Sequence, residues 1–193
     1  MAVFMKQGGQ WLYDHSTLDI VGVKDPDGSE FFFARTSRFG SFFDTTNQNG
    51  TADTARLMTF DNSDAANTGV SMASNSKFSV NRDGVYNFQF SAQFVNEDIK
   101  GNDASVWFAK GTTGASTAIP NSGTLISIAS THGGIHGHTV AAWNIYIPMV
   151  VGEYVELYWS KTSIDVSLLA IGTQTSPTRP AAPSIILTIN EVT

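Results

Sequence analysis

The chain has 193 residues, 17 acidic against 11 basic side chains for a formal net charge of −6, and no cysteine. That balance excludes a nucleic-acid binder built on a basic stripe, and it excludes disulfides and thiolate metal sites. Apolar residues make up 41% and charged residues only 15%, a mixture that suits a β-sandwich with neutral loops better than a charge-rich helical protein.

Residues 1–16 carry no basic segment followed by a long apolar run, so no secretory signal is expected. No stretch approaches the roughly eighteen apolar residues of a membrane span. The expectation is a protein made in the cytoplasm, without a membrane or nucleic-acid partner. Next, 18–23 and 30–35 flank Lys24-Asp25-Pro26-Asp27-Gly28. Proline followed by Asp-Gly is strong turn chemistry, so a hairpin is predicted. Around it crowd Trp11, Tyr13, Phe31, Phe32, Phe33, Phe39, Phe42 and Phe43. So many rings in so short a span need cover, and two readings compete. They dock a partner, or they fill the foot of their own domain or an oligomer axis. The polar run 44–51 reads as a linker. The expected domains are an arm at 1–43, a linker at 44–51 and a head at 52–193.

Short strands are predicted at 55–60, 69–72, 77–80, 84–95, 105–110, 124–130, 139–149, 154–161, 166–169 and 184–192, separated by turn-forming residues. The sharpest pattern is 86–94, where Tyr86, Phe88, Phe90, Ala92 and Phe94 alternate with Asn87, Gln89, Ser91 and Gln93. A period of two with aromatics on one side predicts an antiparallel strand with one buried face. By the same parity Trp143, Val155, Leu157 and Trp159 join Tyr86, Phe88, Phe90 and Phe94 as the expected core. Pro177, Pro180 and Pro183 recur every third residue, which predicts a polyproline-like approach to the last strand. The fold class expected is all-β: a jelly-roll sandwich preceded by an arm with a hairpin.

Candidate chemistry is sparse. Three of the four histidines, His132, His136 and His138, lie within seven residues, and imidazole suits zinc, iron or nickel. No nearby carboxylate or thiolate completes a set, so a solvated glycine-rich loop is the favoured reading, with no cofactor. The run 25–30 begins like a calcium loop but lacks the spacing to a bidentate Glu, so an ordinary turn is the favoured reading. Asn96-Glu97-Asp98 with Asn102-Asp103 offer an ion site between strands, against a solvated acidic loop as the default. No nucleophile elbow, phosphate-binding glycine loop or metalloprotease helix is present. Glu153 and Glu156 fall on opposite strand faces. Catalysis is not expected.

Several motifs resemble a known family. Phe78-Ser79-Val80 followed by Asp83-Gly84-Val85-Tyr86-Asn87-Phe88 resembles the central motif of the tumour-necrosis-factor-like jelly roll, the head also found in the first component of complement. Gly152-Glu153-Tyr154-Val155-Glu156-Leu157 and the strand ending Lys110-Gly111 resemble two further strands of that family. Its usual closing Phe-x-Gly segment is replaced here by Pro183-Ser184-Ile185-Ile186-Leu187-Thr188. Taken with His132-Gly133-Gly134, Ala141-Ala142-Trp143-Asn144 and Tyr158-Trp159, the head is similar to those of virion proteins of tailed bacteriophages, cyanophages especially. The resemblance implies a homotrimer located on the virion. It implies a capsid cement (decoration) protein that binds the major capsid protein and stabilises the phage head. The alternative it leaves open is a receptor-binding or tail-fibre head that recognises host-surface glycans, around Tyr154, Tyr158 and Asn96.

Overall fold

The computed structural model describes residues 37–192 in full and, before them, four short strands and their pairing. Two units form, Met1–Ser37 and Arg38–Thr193. In the first, β1 (Met5–Gln7) pairs with β2 (Gln10–Leu12), and β3 (Val23–Lys24) pairs with β4 (Glu30–Phe31). The β3–β4 pair places Val23 opposite Phe31 and Lys24 opposite Glu30, across the segment predicted to turn.

The second unit is an antiparallel β-sandwich, with no helix among the described residues. Its strands begin with β5 (Phe39–Asp44), β6 (Arg56–Leu57), β7 (Asn62–Ser63), β8 (Val70–Ala73), β9 (Lys77–Val80) and β10 (Gly84–Asn96). Then come β11 (Asn102–Gly111), β12 (Thr117–Ala118), β13 (Thr124–Ile128), β14 (Gly137–Met149) and β15 (Tyr154–Lys161). The chain closes with β16 (Val166–Leu168), a small hairpin of β17 (Gln174–Thr175) and β18 (Thr178–Arg179), and β19 (Ile185–Glu191). One sheet runs β14-β10-β19-β5-β7, with β16 also on β10. The other runs β12-β11-β15-β9-β8, with β13 on β11 and β6 on β15.

The aromatic alternation builds the core. Tyr86, Phe88, Phe90, Ala92 and Phe94 are all buried, and their neighbours Asn87, Gln89, Ser91 and Gln93 face outward. From the facing sheet Phe108 meets Phe88 and Phe90 edge-on at 6.1 and 5.9 Å, and Trp159 meets Phe94 at 5.9 Å. Such edge-to-face pairs add about 0.5–1.5 kcal/mol each beyond their buried area. Val155 and Leu157 are fully buried beside them. Trp143 is half-buried, with its ring 4.3 Å from that of Phe90 at the margin of the core.

Three expectations need correction. The sandwich begins at Arg38, so the boundary does not fall at 43. Phe39–Asp44 pairs along its whole length with the C-terminal strand β19, from Asp44 opposite Ile185 to Phe39 opposite Asn190. Residues 45–51 are part of the sandwich, not a linker. Gln48 exchanges backbone hydrogen bonds with Leu168 at 3.0 and 2.9 Å, and its side-chain amide pairs with both backbone groups of Thr59. Polar bonding anchors this loop where apolar packing was sought, and hydropathy patterns do not register that. The three prolines do not make a polyproline segment either, because Pro177 sits in the turn of the β17–β18 hairpin.

Candidate functional site

Directly paired residues on antiparallel strands share a face, so the register defines the outer surface of the β14-β10-β19-β5 sheet. One row reads Tyr146, Asn87, Asn190, Phe39. The next reads Asn144, Gln89, Thr188, Ser41, and the third Ala142, Ser91, Ile186, Phe43. None of these side chains carries a charge. Asn144 donates to Asn87 at 2.9 Å, and Asn87 donates to Asn190 at 3.3 Å, tying three strands with an amide ladder. Apolar groups are spaced among the amides: Tyr146 is 60% exposed, Phe39 42% and Ile186 38%. Outside these three rows Arg82 pairs with Glu191, and Lys110 of the facing sheet pairs with Glu153 at 3.0 Å. Burial opposes ionisation of Glu153, but the Val150 amide and Lys110 outweigh it and hold the carboxyl below its usual range. A flat neutral face with scattered apolar groups can do no acid–base chemistry. It can be covered by another surface without desolvating a charge, provided its amides and hydroxyls find partners there.

The expected contact residues do not gather in one place. Phe42 points into the core, whereas Phe39 and Phe43 lie on the opposite, outer face of the same strand. Trp11 stands opposite Lys6 in the β1–β2 pair, and Phe31 opposite Val23. Tyr13, Phe32 and Phe33 lie outside the described residues.

The histidines also disperse. His132 closes a tight turn by exchanging backbone bonds with Ile135. His136 shares a hydrogen bond with Thr131 at 3.2 Å and comes within 4.0 Å of Glu97, and His138 projects from the outer face of β14. Among the described residues no group of three His, Cys, Asp or Glu side chains is placed to hold a metal. Asn96 is wholly buried, donating to the carbonyls of Lys100 at 2.7 Å and Ala129 at 3.1 Å, and Tyr154 donates to Gly114. Neither is available to a sugar. Tyr158 is half-buried, with its ring parallel to that of Trp107 at 5.8 Å.

Buried charged groups also escaped the pattern reading, among them Asp44, Glu156 and Lys161. Glu156, on the outward side of β15, is covered by Ser116, which donates to its carboxylate at 2.5 Å, and by Ser76 at 3.4 Å. Lys161 is 2% exposed and donates to the Asn49 side chain, to Ile164 O at 3.0 Å and to Val166 O at 2.5 Å. Desolvation, followed by the nearby Arg56 charge, pushes the Lys161 ammonium below the ordinary lysine range. Glu156 and Lys161 both bury through hydrogen bonds to groups outside their strand, which spacing along a single strand does not encode.

In comparisons with known proteins, the chain matches no family model and no curated protein.

Proposed function

We propose that the chain is a structural virion protein, a homotrimer that binds the major capsid protein of a phage head and cements neighbouring capsomers. Its action is adhesive and needs no catalytic group. The observation that carries this reading is the uncharged outer face of the β14-β10-β19-β5 sheet. Each copy carries a net charge of −6, so copies repel unless they meet through a surface free of charge. That face supplies one.

Size favours a ring over a two-fold pair. Four strands at about 4.8 Å and three rows spanning about 20 Å give roughly 400 Å². A standard interface takes about 800 Å² from each partner. A two-fold contact would use this patch twice and nothing else. In a closed ring each subunit gives this face to one neighbour and a different surface to the other, so each subunit makes two such contacts instead of one. A jelly roll agrees with the path of the chain, which passes repeatedly between the two sheets and returns its last long strand beside its first.

The test is binding of the purified full chain to assembled phage capsids, followed by gel densitometry of washed particles. Cement predicts a copy number in fixed proportion to the capsid protein. A few copies per particle, or none retained, would overturn it.

A further inference from the structure

Three loops meet at one end of the sandwich: 97–101 after β10, 129–136 before β14, and 162–165 between β15 and β16. The end is stiff. The Glu97 amide donates to Asp165 O at 3.0 Å, and Thr131 donates to Asp98 O at 2.7 Å. Beneath them the buried Asn96 side chain holds the carbonyls of Lys100 and Ala129. Each loop carries an isoleucine turned to solvent: Ile99 at 79% exposure, Ile135 at 72% and Ile164 at 57%. Single exposed apolar residues are ordinary. Here three branched aliphatic side chains project from three loops that backbone hydrogen bonds join at one end of the sandwich, and apolar groups exposed together at one end mark contact surfaces.

The charge around them selects the partner. The same loops, with the first residues of β11, bear Glu97, Asp98, Asp103 and Asp165 against the exposed Lys100. A second copy would bring like charge against like. An anionic lipid surface would be repelled for the same reason. Saccharides are taken up on aromatic rings and polar groups, and these tips are aliphatic. We infer that this end is a docking surface for a basic protein partner, whose apolar pockets receive Ile99, Ile135 and Ile164 while its cationic rim faces the carboxylates. The inference does not depend on the cement reading, since the surface lies within one subunit.

The test uses the full chain labelled at isoleucine methyl groups and titrated with a short amphipathic Leu/Lys helical peptide at low salt. The methyl resonances of Ile99, Ile135 and Ile164 are expected to shift together, and the affinity to fall as salt screens the rim. The triple variant Ile99→Ser, Ile135→Ser, Ile164→Ser should keep its melting temperature and bind about a hundredfold more weakly, as loss of clustered anchors does. Leu125→Ser, equally exposed but on strand β13, should bind like the parent chain. Shifts centred elsewhere, equal binding of a Leu/Glu peptide or of anionic vesicles, or full binding by the triple variant would each overturn the inference.

Discussion

The rings of Phe42 and Phe78 lie 4.9 Å apart and inclined at 55°, one from each sheet, so the strand at the expected boundary of the arm is stitched into the core of the sandwich. Phe60 completes the contact from a third segment, edge-on to Phe78 at 5.0 Å. Phe42→Ala should therefore destabilise the fold by about 3–5 kcal/mol, the usual cost of emptying a buried phenylalanine site. Phe39→Ser, on the other face of the strand, should cost less than about 1 kcal/mol in the isolated subunit. Urea unfolding of the two variants checks the contrast, and equal losses would contradict it.

How much was legible follows from the same strand. Alternation reported the parity of Phe88, Phe90, Leu157 and Trp159 because a sandwich strand has one dry face and each of these residues obeys it. Phe42 stayed open between a docking residue and a core residue because six phenylalanines within 31–43 hid the alternation of Gly40, Phe42 and Asp44. Gln48 and Lys161 were invisible for a different reason. Their burial rests on hydrogen bonds, for Gln48 to Leu168 and Thr59 and for Lys161 to Asn49, Ile164 and Val166, and hydropathy carries no information about such partners. The neutral sheet face was present in the sequence as Asn87, Gln89, Asn144 and Thr188, but only the register shows that they adjoin.

Lys161 gives a pH test with a fixed sign. Its folded pKa lies below the unfolded value near 10.5, so between the two the unfolded chain binds more protons than the folded one. Stability from this group then rises with pH across that window. The urea midpoint of the parent chain, relative to that of Lys161→Met, should climb as pH approaches 10.5. A difference between the two that stays level or falls would contradict the assignment.

Gly137 opens β14 where the backbone passes close to its neighbour. A Cβ placed there would stand 1.8 Å from the carbonyl oxygen of Ala129, a backbone atom that cannot step aside cheaply. Gly137→Ala should lower stability by more than about 2 kcal/mol and loosen residues 129–136, read as faster amide exchange at Thr131 and Ile135. Gly114→Ala meets no atom within 4 Å but holds a positive φ of 74°, so it should cost only about 1 kcal/mol.

Glu153, in the turn between β14 and β15, bears on acid stability. Its carboxyl accepts from the Val150 amide at 3.0 Å and from Lys110, and its pKa is held below the ordinary value of 4.5. The stabilisation is present above 4.5 and is lost as pH falls through the lower folded value. Glu153→Gln should flatten that part of the acid unfolding curve without changing stability at pH 9 by more than about 1 kcal/mol. An acid limb identical to that of the parent chain would exclude the role.

Self-association through the uncharged sheet face is the claim on which the functional reading turns, and sedimentation equilibrium of the full chain measures it directly. The account predicts a species of about 62 kDa, three times the 20.8 kDa chain. It also predicts that Gln89→Lys, at an exposed position in the middle row, yields a folded monomer. A parent chain that sediments as a monomer, or a Gln89→Lys trimer as tight as the parent, would contradict it.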